Sequence, residues 1–293
     1  MKGVRAGRRV CSIACAAALA AALLCGCSGK GGTGGGSEKT GGGARKMYEF
    51  VDVEGNSYEA EYIEEISACS YDYGRLSEEN GYKCYLDEAG QRISRIGIDV
   101  SEFQPSVDWE QVKEAGIEFA MIRVGYRGYG ESGRLVEDKM FRRHMEGALA
   151  AGLDVGTYFF SQAVSREETL EEAEFVLERI GQYPVTYPAA FDTEEIKGDT
   201  ARTDGLSREQ FTENCIVFCD RMKEAGYDTM IYANMKWMAF TLELEKLEDY
   251  SKWYADYEPV PQCPYDFSMW QYTETGTVPG VEGNVDLNVY FGK

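Results

Sequence analysis

The chain has 293 residues, 44% of them apolar, enough for one large core or two modest ones. Fifty acidic against 30 basic residues give a net charge of −20, which excludes a nucleic-acid partner and electrostatic docking on an anionic surface. A single histidine, His144, argues against a His-based triad and a His-rich zinc site, so acid–base chemistry falls to carboxylates, Tyr or Lys; no metal and no cofactor is expected.

Taken in order, the chain opens with Lys2, Arg5, Arg8 and Arg9, then an apolar, Ala-rich run from Ser12 to Leu24. That run is too short to span a bilayer comfortably, so residues 1–26 read as an export signal. Loss of its four positive charges takes the net charge from −20 to about −24. The signal ends Leu24-Cys25-Gly26-Cys27, which resembles a bacterial lipobox. The resemblance implies cleavage before Cys27, acylation of its thiol and a lipid anchor on the outer face of the cytoplasmic membrane. An ordinary secretory signal cut nearby is the alternative. Residues 27–46 are rich in Gly, Ser, Lys and Thr and read as a flexible tether.

Residues 47–93 form a small β-rich segment. Met47 to Val53 and Tyr58 to Ile66 read as strands around a Glu54-Gly55-Asn56 turn. Cys69 and Cys84 are either a disulfide or two free thiols. No catalytic residue is assigned here; the segment is a spacer or a strand pair packed on the main domain.

From Arg95 strands and helices alternate. Strands are predicted at 96–100, 119–124, 154–160, 188–194, 229–233, 252–255, 268–271 and 288–291. Helices are predicted from Asp108 to Gly116, Glu137 to Ala151, Ser165 to Ile180 and Ser207 to Ala225. Asp108, Ser165 and Ser207 are N-caps, and Gly116, Gly152 and Gly226 are stops. Eight strands with few helices at the end predict an irregular (β/α) barrel over 94–293. Active residues in such barrels sit at strand C-termini. Asp99, Tyr158, Asp192, Glu194, Tyr232 and Trp270 fall there. In a strand Asp192 and Glu194 would share a face, about 6–7 Å apart, a spacing that suits an acid and a second carboxylate acting on one glycosidic bond. Four further features read as structural. Cys215 and Cys219 are a helix core stripe, His144 is solvated, Glu167 to Glu174 is an exposed helix face, and Gly125 to Gly133 is a mobile loop.

The motifs Gly97-Ile98-Asp99-Val100-Ser101 with Gln104 and Val107-Asp108-Trp109, then Phe119 to Arg123, Ala151 to Tyr158, Phe191-Asp192-Thr193-Glu194, Trp253-Tyr254-Ala255-Asp256-Tyr257, Trp270-Gln271-Tyr272 and Val285-Asp286-Leu287-Asn288, resemble in order those of the family 25 glycoside hydrolases. The resemblance covers about residues 94–293. It implies a TIM-like barrel that hydrolyses the β-1,4 bond between N-acetylmuramic acid and N-acetylglucosamine in peptidoglycan glycan strands. Glu194 falls on the family's general acid and Asp192 on its partner carboxylate, with Asp99 and Asp286 as further pit acids. Retention assisted by the substrate's 2-acetamido group, proposed for this family, would have Asp192 orient that group. Tyr158, Tyr232, Tyr257 and Gln271 are candidate substrate contacts. Trp270 is expected on a sugar face and Arg123 beside a pit carboxylate. Glu102-Phe103, Pro105 and Phe159-Phe160 depart from the family pattern and put the outer subsites in question. Two readings stay open beside the muramidase: a catalytically weak wall-binding lipoprotein, and a hydrolase of another 2-acetamido polysaccharide. Oligomeric state is not legible.

Overall fold

The computed structural model describes residues 45–292. The export signal, Cys27 and nearly all of the tether fall outside the described residues.

Two antiparallel hairpins come first. β1 (Met47–Val51) pairs with β2 (Ser57–Glu61). Asp52 Oδ1 closes their turn by accepting from the Glu54 and Asn56 N–H groups, both at 2.9 Å. β3 (Leu76–Glu79) pairs with β4 (Tyr82–Tyr85). Their turn is Asn80-Gly81, both left-handed at φ 54° and 84°, the geometry whose twist matches flanking strands.

β5 (Arg95–Val100), β6 (Phe119–Arg127), the short β7 (Leu135–Glu137), β8 (Asp154–Phe160), β9 (Ala189–Asp192), β10 (Thr229–Asn234), β11 (Ser251–Ala255), β12 (Met269–Gly276) and β13 (Val285–Tyr290) form one sheet. All but β7 close a barrel, shut by the β5–β6 pairing. Neighbours from β5 to β12 run parallel, whereas β13 runs antiparallel to both β12 and β5. The result is the irregular eight-stranded barrel that the alternation predicts.

Helices α1 (Trp109–Glu114), α2 (Phe141–Ala150), α3 (Arg166–Ile180) and α4 (Arg208–Glu224) follow early strands, and a short α5 (Met235–Phe240) follows β10. Asp108, Ser165 and Ser207 cap α1, α3 and α4 by accepting from the N–H three residues on. The helix predicted from Glu137 begins only at Phe141, because 135–137 pair with 125–127 as β7. For the same reason the segment from Gly125 is strand as far as Arg127 rather than loop.

Side chains alternate across the barrel wall. Phe119, Met121, Ala190, Met230, Tyr232, Trp253 and Met269 fill its interior. Glycines make the room: a Cβ on Gly97 would lie inside the Phe119 ring contact at 2.3 Å, and one on Gly156 would lie 2.5 Å from Met121 Sδ. The opposite faces pack on the helices, with Cys215 and Cys219 of α4 fully buried. Two surface readings are corrected here. His144 is 1% exposed, its Nε2 3.1 Å from the Ser101 carbonyl. Glu172, inside the acidic run, is fully buried against Arg127 at 2.7 Å, because α3 turns every third or fourth residue inward.

No helix lies between β11 and β12 or between β12 and β13. The hairpin segment covers that part of the wall. Phe50 and Tyr58 stack at 5.4 Å and both meet Phe240 of α5. Tyr71 stacks on Phe291 at 4.3 Å and donates to the Phe267 carbonyl. Lys83 Nζ lies 4.7 Å over the Trp270 ring. The segment is thus packed on the barrel, not a free spacer. Cys69 and Cys84 are free thiols.

Candidate active site

Parallel strands present their C-terminal ends at one mouth. β5 therefore brings Asp99 there, β8 Tyr158, β9 Asp192, β10 Tyr232 and β12 Gln271. β13 runs the other way, so its beginning delivers Asp286, which sits opposite Asp99 in the ladder. These residues line a cleft of about 610 Å³ with Glu194, Arg123 and Tyr257. β9 ends at Asp192, so Glu194 belongs to the loop beyond and the i, i+2 strand geometry does not extend to it. The loop is held from behind: Ser161 N–H donates to the Asp192 carbonyl at 2.7 Å and Gln162 Nε2 to the Glu194 carbonyl at 3.4 Å.

Asp99 is anchored by a chain of amides. Its Oδ2 accepts from Gln271 Nε2 at 3.0 Å and from Asn288 Nδ2 at 2.8 Å. Gln271 Oε1 accepts from Tyr232 and Tyr257 hydroxyls at 2.9 and 3.0 Å, and Asn288 Oδ1 from Trp253 Nε1 at 2.8 Å. Each amide is thereby fixed in one orientation, with its donor end toward Asp99. Arg123 Nε pairs with buried Asp138 at 2.7 Å, and its Nη2 lies 3.4 Å from Glu102 on the cleft wall.

Trp270 is misplaced by the sequence reading. It is 0% exposed, points out of the barrel and donates to the Asp256 carbonyl at 2.7 Å. Gln271 faces the cleft, so its strand neighbour must face away. The tryptophan of the cleft is Trp253. Sequence reasoning also missed Glu274 and the rim aromatics Tyr126 and Tyr129; Phe103, one of the departures from the family pattern, is 75% exposed and lies over Arg123 at the rim. Among the described residues no grouping of His, Cys, Asp and Glu is arranged to hold a metal ion.

Asp99, Asp192, Glu194, Glu274 and Asp286, crowded at one mouth, cannot all ionise cheaply. Burial raises Asp192 well above the carboxylate range, and the Glu194 charge adds to it. Burial pushes Glu194 up to about 7, against the opposing hydrogen bond with Asp192. The two therefore share a proton near neutrality. Burial lifts Asp99 to about 6 against its Asn288 and Gln271 bonds. Asp192 Oδ1 is buried and has no hydrogen-bond partner.

The profile of the glycosyl hydrolases family 25 matches residues 98–281. The chain belongs to family 25. Similar family 25 sequences include the autolytic lysozyme of Clostridium acetobutylicum, 28% identical over 195 residues, and lysozyme M1 of Streptomyces globisporus, 30% identical over 206. The alignments cover 66% and 67% of this chain and 55% and 67% of those proteins, so the chain spans little more than half the length of the first. The crystal structure of the bacterial lysozyme from Streptomyces coelicolor superposes with a TM-score of 0.56 at 27% identity, covering 68% of this chain and 93% of that one.

The crowded family 25 pit has a measurable cost. Burial, then the charges of Asp99 and Glu274, push Asp286 up to about 9. The folded chain then binds that proton more tightly than the unfolded chain, so stability falls as pH rises from about 4 toward 9. Asp286→Asn is expected to raise the melting temperature at pH 8, with the gain shrinking by pH 4.5. A gain that grows toward acid pH would contradict this assignment.

Proposed function

We propose that the chain is an extracytoplasmic muramidase that cleaves the β-1,4 bond between N-acetylmuramic acid and N-acetylglucosamine in peptidoglycan glycan strands, tethered to the membrane through a lipid on Cys27. The observation that carries the reaction is the pairing of Asp192 with Glu194 in one cleft, with Asp192 Oδ1 buried and unpartnered. Family membership and the lysozyme names of two relatives support the substrate.

In this reading the 2-acetamido N–H of the substrate donates to Asp192 Oδ1. That contact favours ionised Asp192 and leaves the shared proton on Glu194. Glu194 then protonates the leaving glycosidic oxygen while the oriented acetamido oxygen attacks the anomeric carbon. Glu194, now ionised, takes a proton from the water that completes hydrolysis. Asp99, held by Gln271 and Asn288, supplies negative potential to the developing positive charge. Tyr158, Tyr232 and Trp253 wall the reacting sugar, and Tyr257 and Asp286 lie at its edge.

The test is mass spectrometry of soluble products after incubating residues 45–293 with purified peptidoglycan. Muropeptides ending in reducing N-acetylmuramic acid are expected. Reducing N-acetylglucosamine ends would make it a glucosaminidase. Turnover confined to chitin oligosaccharides would move it to another 2-acetamido polysaccharide. Retained wall binding without products would favour a binding lipoprotein.

A further inference from the structure

β9 stops at Asp192, and Glu194 stands on irregular chain that runs on toward α4. Among the described residues the main chain of Glu194, Glu195 and Ile196 takes part in no backbone–backbone hydrogen bond. The flanking side chains are tied by exposed ion pairs, Glu195 to Lys236 at 3.4 Å and Lys197 to Glu54 at 2.6 Å, and such pairs fix little. One buried group does reach that main chain: Gln162 Nε2, 3.4 Å from the Glu194 carbonyl. Gln162 is 0% exposed. Its Oε1 accepts from the Thr203 hydroxyl at 2.9 Å. A carbonyl can only accept, so a single orientation of the amide satisfies both neighbours. The stretch around Gln162 is itself anchored. Ser161 N–H donates to the Asp192 carbonyl at 2.7 Å and its Oγ to Glu172 at 2.6 Å, while Asn214 of α4 donates to the Ala163 carbonyl at 2.9 Å. One buried stretch beyond β8 thus grips the carbonyls of both Asp192 and Glu194.

We propose that Gln162 is a positioning residue that fixes Glu194 in the cleft, with Thr203 setting the direction of its amide. The inference rests on the reading of Glu194 as the acid. Asp192 is placed by β9 and Glu194 by no regular element, so the Gln162 bond sets how the two carboxyls stand to each other. Without it the loop carries the Glu194 carboxyl out toward water and away from the glycosidic oxygen. Burial is what pushes Glu194 up to about 7, so a carboxyl that gains solvent gives up its proton at lower pH. Misplacement then slows the chemical step and leaves Tyr158, Tyr232 and Trp253, which wall the sugar, untouched.

The test compares the full chain with Gln162→Met, which keeps the length of the side chain and loses the amide, on purified peptidoglycan. The kcat for release of reducing ends is expected to fall about 10²-fold with KM unchanged, the cost of misplacing a reacting group by about 1 Å. The alkaline limb of the pH profile should move to lower pH. Thr203→Val should shift both readings the same way by less, and Thr203→Ser, which keeps the hydroxyl, should restore them. Carboxyl-carbon NMR reads the Glu194 midpoint without turnover, its signal being identified by its loss in Glu194→Gln. If the wild type releases no reducing ends, the muramidase reading fails, and this midpoint still decides the role of Gln162. A Gln162→Met protein with wild-type kcat and an unmoved midpoint overturns the proposal, even if its melting temperature falls. If that variant does not fold, Thr203→Val decides, and wild-type values there overturn it.

Discussion

Glu194→Gln is expected to lower the release of reducing ends from peptidoglycan by about 10²–10⁴-fold, the usual contribution of a positioned acid, without loss of the fold. The amide keeps the shape of the side chain but cannot donate a proton to the glycosidic oxygen. The pH profile separates this from a binding defect. Glu194 is pushed up to about 7 by burial, so wild-type turnover should fall as pH rises through that value, where the acid loses its proton. The variant's residual rate should lack that limb. Its stability should be no lower than wild type near pH 8, because one charge leaves a pit that also holds Asp192, Asp99 and Asp286. Full activity in Glu194→Gln, or an unchanged alkaline limb, would remove Glu194 from the acid's role.

Arg127→Met is expected to destabilise the protein by about 3–5 kcal/mol at pH 8, the cost of stranding a buried charge, or roughly 10 °C in melting temperature. Arg127 is 4% exposed. It donates to Glu172 Oε1 at 2.7 Å, to the Gly133 and Glu168 carbonyls at 2.8 Å each, and to Glu171 at 3.1 Å. Glu172 Oε2 in turn accepts from Ser161 Oγ at 2.6 Å. Burial already pushes Glu172 up to about 7 in spite of Arg127. Without the guanidinium it would stay protonated in the folded state, so the loss should shrink toward pH 5, where protonation costs less. Arg127→Met combined with Glu172→Leu should recover most of the stability, since neither charge is then buried alone. A single variant as stable as wild type across this range would contradict the account. Ser161 also holds the Asp192 carbonyl, so the buried pair stands directly behind β9.

Much of this was legible because strand periodicity and helix caps are local. Asp108, Ser165 and Ser207 announce α1, α3 and α4, and each apolar run between them became a barrel strand. Asp99 and Asp192 could be placed at one mouth by the same periodicity, whereas Asp286 came only from the family resemblance, because it starts a strand that runs the other way. Trp270 shows a local rule left unapplied: with Gln271 inward, it had to point outward. The Asn80-Gly81 turn was likewise in plain view. Other misses are tertiary. Nothing near His144 in sequence says that α2 turns it onto the Ser101 carbonyl. Nothing near Glu172 on α3 says that Arg127, at the end of β6, will meet it. The start of α2 was lost because β7 competes for Leu135 to Glu137 through a partner strand. The rim joins Phe103, beyond β5, to Tyr126 on β6 and Tyr129 just past it, and no spacing rule links those two stretches.

The hairpins lie upstream of the family match at 98–281, yet they cover Phe267, Trp270 and Phe291. A recombination event that cut at the start of the barrel would leave an oily seam along the wall that lacks helices, and its product would aggregate. The smallest piece that keeps this seam covered therefore begins near residue 45. The hairpins are thereby welded to the barrel that carries the cleft.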